Sequence, residues 1–262
     1  MLQQIFLTPS QRTFRLSSNY KATLPWYTSN LTAPALNQLW QTMAQYLVKN
    51  GVHNVKPVLE RDINIRESWQ APNLLLSQCC GPDLFTAEGK QLYVIARPVF
   101  SQLDCTPGCY YSHIVARYKQ PKDVARIAVN AVSSRSGYGA LIEWLETHHI
   151  EVTNIFISGS HVNSLSMLHN KQADLAAIDA HLVNQFKTQI DLPIIGRSCE
   201  ALAPPFVFHR ATGIDPGLLY NALAYAVKLH GSSVGIGDII KCDRLDYVNH
   251  AYSEKFCIEY IK

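Results

Sequence analysis

Between Ala128 and Gly137 the chain reads AVNAVSSRSG. Ser133, Ser134 and Ser136 supply hydroxyls, Arg135 a guanidinium, and Gly137 allows close backbone approach. An apolar helical pattern, ALIEWL, follows directly. Serine at a helix start is ordinarily a cap. A helix start that also offers free N–H groups, several hydroxyls and a cation suits an oxyanion. A second turn of this kind, Gly159-Ser160-His161, opens the pattern HVNSLSMLH, and a carboxylate, Asp179, ends the run ADLAAID. One such turn reads as a cap. Two on one edge, with a carboxylate beside them, point to a bound anion. Each charge-assisted hydrogen bond contributes ~1.5–3 kcal/mol, so four or five donors suffice for roughly micromolar affinity after association costs.

The same residues could transfer protons. His161 or Asp179 would then be the acid or base in a cleft. A Ser134–His161–Asp179 hydrolase is not expected, because the nucleophile elbow GxSxG is absent. No group of His, Cys and carboxylates has metal-ligand spacing, and His161 and His169 lie too far apart along one helix to ligate together, so neither metal nor cofactor is expected.

The elements that would position these turns alternate. VARIAVN, VTNIFIS, ADLAAID and LPIIGRS read as strands, separated by helices in SGYGALIEWLETHH, HVNSLSMLHNKQ and AHLVNQFKTQ. Strand–helix alternation with short connections implies a sheet built from parallel units, and ligands bind beyond the carboxyl ends of such strands. Earlier in the chain FRLSSNY (Phe14–Tyr20), VKPVLE, the LLLSQ run, QLYVIARPVF and YYSHIVARY read as extended segments. PALNQLWQTMAQYLVKNG reads as a helix with Leu36, Leu39, Trp40, Met43 and Leu47 on one face. After PPFVFH comes DPGLLYNALAYAVKLHG, a helix with Asp215 as N-cap, Pro216 at its first position and Gly231 as stop. The segment from SSVGIGDII onward is weakly patterned and is expected to form turns and short helices. The last helix has no sheet of its own and is expected to return to the first unit. The result is a two-lobed α/β fold: 1–114 with 207–262 as one lobe, 115–206 as the other. YSHIVA and PPFVFH cross between the lobes, and a ligand cleft lies between them.

The totals narrow the classes. A formal charge of +3 over 262 residues, with no dense run of Lys and Arg, gives nucleic-acid binding no support. No apolar stretch is long enough to insert in a bilayer. Seven cysteines, none in a CxxC pair, do not make a disulfide framework, although Cys105 and Cys109 could pair across a turn under oxidising conditions. The first twenty residues lack the features of a secretory leader. The expected compartment is the cytoplasm as the sequence stands, or the periplasm if a leader has been removed.

LPWY (Leu24–Tyr27), SQCCG (Ser77–Gly81), CYYSHIV (Cys109–Val115), AVNAVSSRSG, SGSHVNSL (Ser158–Leu165), ADLAAID (Ala173–Asp179) and PPFVFH (Pro204–His209) occur in this order. The set resembles the phosphate, phosphite and phosphonate substrate-binding proteins of ABC transporters, with the type 2 periplasmic-binding-protein fold. The resemblance implies that Ser134, Ser136 and the N–H groups near Gly137 cradle the oxyanion, and that Ser160 and His161 add a second helix start. It implies that Asp179 accepts from a protonated ligand oxygen or an amino group, that Tyr27 closes over the ligand, and that Tyr111 lies where the chain first crosses. Gln78 stands in the loop where relatives carry an aromatic, and Arg135 where many have a neutral residue. Facing inward, Arg135 would favour a more negative ligand; facing outward, it is a surface charge. The implied partners are a small anionic ligand and a transporter permease or signalling protein. The alternative is a cytoplasmic enzyme on the same fold acting on a small carboxylate, similar to chorismate dehydratase.

Overall fold

The computed structural model describes residues 19–28, 32–61, 63–120, 123–185 and 191–252. In chain order, β1 (Lys21–Ala22), α1 (Ala33–Lys49), α2 (Ile65–Trp69), β2 (Leu74–Gln78) and β3 (Leu92–Phe100) lead to β4 (Cys109–Tyr110) and β5 (Ser112–Ala116). β6 (Val124–Val129), α3 (Ala140–Thr147), β7 (Glu151–Ile157), α4 (His161–His169), β8 (Leu175–Asp179), α5 (Ala180–Gln185) and β9 (Ile194–Arg197) follow. The chain then runs through β10 (Ala201–Leu202), β11 (Phe206–His209), α6 (Pro216–His230) and β12 (Ile236–Ile240).

These strands make two five-stranded sheets, ordered β1-β2-β11-β3-β12 and β7-β6-β8-β5-β9. Each sheet takes in one antiparallel strand delivered by a crossing segment. β11 runs antiparallel between β2 and β3, and β5 antiparallel between β8 and β9. The crossings meet in a small ribbon where β10 pairs with β4, Ala201 opposite Tyr110 and Leu202 opposite Cys109. The two-lobed α/β architecture follows the sequence reading.

Burial explains the strand compositions. β2 and β8 are buried along their whole length, so Leu-Leu-Leu and Leu-Ala-Ala-Ile runs replace alternation. In the first lobe α1 and α6 pack together over one face, with Leu39, Trp40, Met43, Leu219 and Leu223 in a common core. The second lobe has its own core of Ile127, Leu141, Trp144 and Leu175. Trp144 lies against Gly196, where a Cβ would come within 2.7 Å of its indole nitrogen.

Some sequence expectations change. VKPVLE forms no strand; it runs beside the chain at Tyr20 and Ala22 with single bonds from Lys56 and Glu60 N–H, because Pro57 breaks the ladder. The tail is not only turns: β12 pairs with β3 as the edge of the first sheet. α6 ends at His230 with Gly231 as its C-cap, as expected, but Gly231 keeps φ −59°, and the chain tightens through Gly231–Val234 before turning at Gly235, φ 72°. Gly231 is needed because a Cβ there would lie 2.4 Å from the Ile236 carbonyl oxygen. The expected strand Phe14–Tyr20 falls outside the described residues up to position 18. The six described cysteines are free, with Cys105 Sγ donating to the Cys109 carbonyl at 3.2 Å.

Far from the cleft, Asp174 ties the second sheet together. It receives both Arg126 Nε (2.9 Å) and Nη2 (3.0 Å), together with Arg117 Nη1 (2.9 Å) and the Arg126 N–H (3.1 Å). Hydrogen bonding from Arg126 is the first cause holding its carboxyl down at about 2. Asp174→Asn is expected to lower stability by about 1–2 kcal/mol, read as a urea midpoint shift at unchanged slope. An unchanged midpoint would mean these exposed-edge pairs contribute nothing net.

Candidate functional site

The cleft between the sheets has a volume of about 420 Å³. Three strand ends of the second lobe open into it. After β6 the chain turns through Ser134, whose Oγ accepts from Gly137 N–H at 3.0 Å. The next turn, Arg135–Gly139, is wider than an α-turn: Gly139 N–H reaches back to the Ser134 carbonyl. Such widened turns are frequent at functional sites. Gly137 leaves room there for the Asn130 side chain, since a Cβ would fall 1.8 Å from Asn130 Oδ1 and the amide would have to move. From behind, Ser112 Oγ donates to the Ser136 carbonyl at 2.8 Å and fixes the turn.

After β7, Gly159 adopts φ 85° and Ser160 caps α4 by accepting from Asn163 N–H at 3.1 Å. This brings His161 Nε2 to 3.0 Å from Ser136 Oγ, and Ser136 Oγ lies 3.4 Å from Ser134 Oγ. The two serine turns therefore meet. Burial lowers His161 to about 4, against the opposing pull of the Ala177 backbone, so the ring is neutral near pH 7.

After β8, Asp179 does both things its position allowed. Its Oδ1 accepts from His181 N–H at 2.8 Å, capping α5, and its Oδ2 accepts from Tyr27 Oη at 3.0 Å across the cleft. Burial raises its carboxyl to about 6; the His181, Tyr27 and Leu182 hydrogen bonds pull the other way. Tyr27 sits at φ 63°, held by Thr32 Oγ1 on its carbonyl at 2.6 Å. Behind it, His181 from α5 stacks on Phe100 at 4.4 Å and meets the edge of Tyr27 at 4.7 Å. Gly235 faces this ring so closely that a Cβ would lie 2.5 Å from His181 Cε1.

The cleft thus gathers Tyr27, Ser134, Ser136, Ser160, His161 and Asp179, with Gly137 in the turn beneath. Three other expected residues lie elsewhere. Arg135 turns away from the cleft, and its Nη2 pairs with Glu143 Oε2 at 2.8 Å on α3. Gln78 is buried in β2, with Nε2 toward the Pro204 carbonyl at 3.5 Å. Tyr111 lies at the crossing, its ring under the Arg197 guanidinium at 4.2 Å.

The first lobe adds groups that the sequence reading passed over. Arg66 on α2 donates through Nη2 to Asp83 Oδ1 (3.0 Å) and, across the cleft, to Ser133 Oγ (2.9 Å). Trp26 and Trp69 line the same wall, beside Cys80. Among the described residues no cluster of His, Cys, Asp and Glu could hold a metal ion, and no helix is long and apolar enough to cross a membrane.

No protein-family profile matches the chain, and neither does any curated protein sequence. Solved structures do match. PhnD1 from Prochlorococcus marinus, in complex with methylphosphonate, superposes with a TM-score of 0.69 at 15% identity, over 92% of this chain and 98% of that one. XAC2383 from Xanthomonas citri, bound to ATP, gives 0.66 at 11% identity over 94% and 100%. A binding-protein component of an ABC phosphonate transporter from Pseudomonas aeruginosa gives 0.64 at 14% over 91% and 86%. At these identities the likeness is one of fold: the chain has the two-lobed architecture of type 2 periplasmic binding proteins.

Proposed function

We propose that the chain is a solute-binding protein that takes a small oxyanion, of the phosphonate, phosphite or phosphate type, into the interlobe cleft. The observation that carries this is the meeting of two hydroxyl-bearing helix starts at Ser136 and His161, 3.0 Å apart. The Ser134 and Ser136 hydroxyls and the His161 imidazole come together there, and helix N-termini favour negative charge. The solved structures with methylphosphonate and from a phosphonate transporter support the same ligand class. Asp179, raised to about 6, is suited to accept from a protonated ligand oxygen or an ammonium group. Arg66, leaning toward Ser133, supplies the cation that Arg135 does not.

Closure would swing the two lobes about the ribbon, with the expected boundaries at 114/115 and 206/207 each moved by at most a few residues toward the N-terminus so that β5 stays whole in the second lobe and β11 in the first. A permease is the corresponding partner, and the periplasm the corresponding compartment. The alternative is an enzyme on the same fold acting on a small carboxylate, with His161 or Asp179 as acid or base; it calls for turnover rather than simple binding. Calorimetric titration with inorganic phosphate, phosphite and phosphonates tests the reading. Ser136→Ala is expected to weaken binding about tenfold, whereas Arg135→Ala leaves it within about twofold. The reverse order of effects would move the site out of the cleft.

A further inference from the structure

Resting on that reading, we infer that the ligand is an organic phosphonate or phosphate monoester whose substituent is apolar and larger than methyl. The two walls of the cleft differ in kind. The second lobe presents hydroxyls, imidazole and carboxylate from Ser134, Ser136, Ser160, His161 and Asp179. The first lobe adds Pro25, Trp26, Ile65 and Trp69 beside the polar Tyr27 and the Arg66–Asp83 pair. With an anion seated on the serine turns beside Arg66, the Pro25, Trp26 and Ile65 side chains are left for the rest of the ligand.

Size points the same way. Methylphosphonate has five heavy atoms; at about 30 Å³ each, the share of a water molecule in the liquid, it occupies roughly 150 Å³. The cleft holds about 420 Å³. This space does not belong to splayed lobes, because Tyr27–Asp179 (3.0 Å) and Arg66–Ser133 (2.9 Å) already bridge the walls. Space that persists with the walls bridged belongs to a second part of the ligand. Trp26 and Trp69 line the first-lobe wall of this space. On the opposite side Val162, half exposed at 52%, extends the apolar contact beyond the His161 turn.

The test is calorimetric titration of the full chain with inorganic phosphate, methylphosphonate and phenylphosphonate. Phenylphosphonate is expected to bind roughly 10- to 100-fold more tightly than methylphosphonate, as burial of the ring dictates. Trp26→Ala is expected to erase most of that preference and to change methylphosphonate affinity less than about threefold. Val162→Ser, a surface change that leaves the core intact, is expected to cut the preference several-fold and stands in if Trp26→Ala does not fold. Equal or tighter binding of methylphosphonate overturns the inference while the oxyanion reading survives. Equal weakening of both ligands by these variants also overturns it. Failure of all three ligands to bind overturns the oxyanion reading and this inference together.

Discussion

Gly137→Ala is expected to raise the Kd for a phosphorus oxyanion at least 100-fold while lowering folding stability by only about 1–2 kcal/mol. The cause is the Asn130 side chain. An alanine Cβ would lie 1.8 Å from Asn130 Oδ1 and 2.8 Å from its Cγ. The amide has to rotate, and Asn130 lines the cleft. The same Cβ would press on Ser134 Oγ at 3.3 Å, the atom that accepts the Gly137 N–H. The turn then loses both its cap and its room for the anion. Calorimetry gives the affinity, and a urea melt gives the stability. Affinity within tenfold of the wild type would show that the ligand does not sit on this turn.

Stability is expected to climb by about 2–3 kcal/mol between pH 4 and pH 6.5, and the buried groups of the cleft fix its sign. His161 and His181 both sit at about 4 because of burial. Between there and the usual 6.5 the unfolded chain holds protons that the fold excludes, so raising the pH favours the fold. His209, lowered by burial and then by Arg210, works in the same direction. Asp179 opposes them. Raised from the usual 3.8 to about 6, it keeps a proton in the fold that the unfolded chain has released, and its ionisation costs stability as pH rises through that window. The histidines outweigh the single carboxyl. Asp179→Asn removes the opposing contribution and is expected to steepen the climb. Urea melts at half-unit pH steps read both; a flat or falling wild-type curve would contradict the burial of these imidazoles.

The serine turns were legible because the chain writes them locally: small polar residues stand directly ahead of an apolar helical pattern, and β6, β7 and β8 end where the pattern says. The other wall was not. Arg66 meets Ser133 across 67 positions of sequence, so only the tertiary fold joins them. Arg135 was ambiguous for a different reason. The widened turn at Arg135–Gly139 sends the side chain along α3 to Glu143, and spacing alone does not reveal that extra width. β12 was hidden because Gly235, Gly237 and Asp238 break the alternation that marks a strand, although β3 supplies its ladder.

The sheet order also has a consequence for biosynthesis. Every strand of the second sheet lies between Ser112 and Arg197, so that sheet can form as soon as this stretch has left the ribosome. The first sheet cannot: β11 is its middle strand, and its residues, Phe206–His209, are made after the whole second lobe. Until then β2 and β3 wait with their facing edges open, and α1 lacks α6. Domains commonly fold from the N-terminus as they emerge, and this chain must reverse that order. The inserted lobe matures first, and the nascent N-terminal segment, with its Leu-Leu-Leu strand uncovered, is the part that needs shielding from aggregation during synthesis.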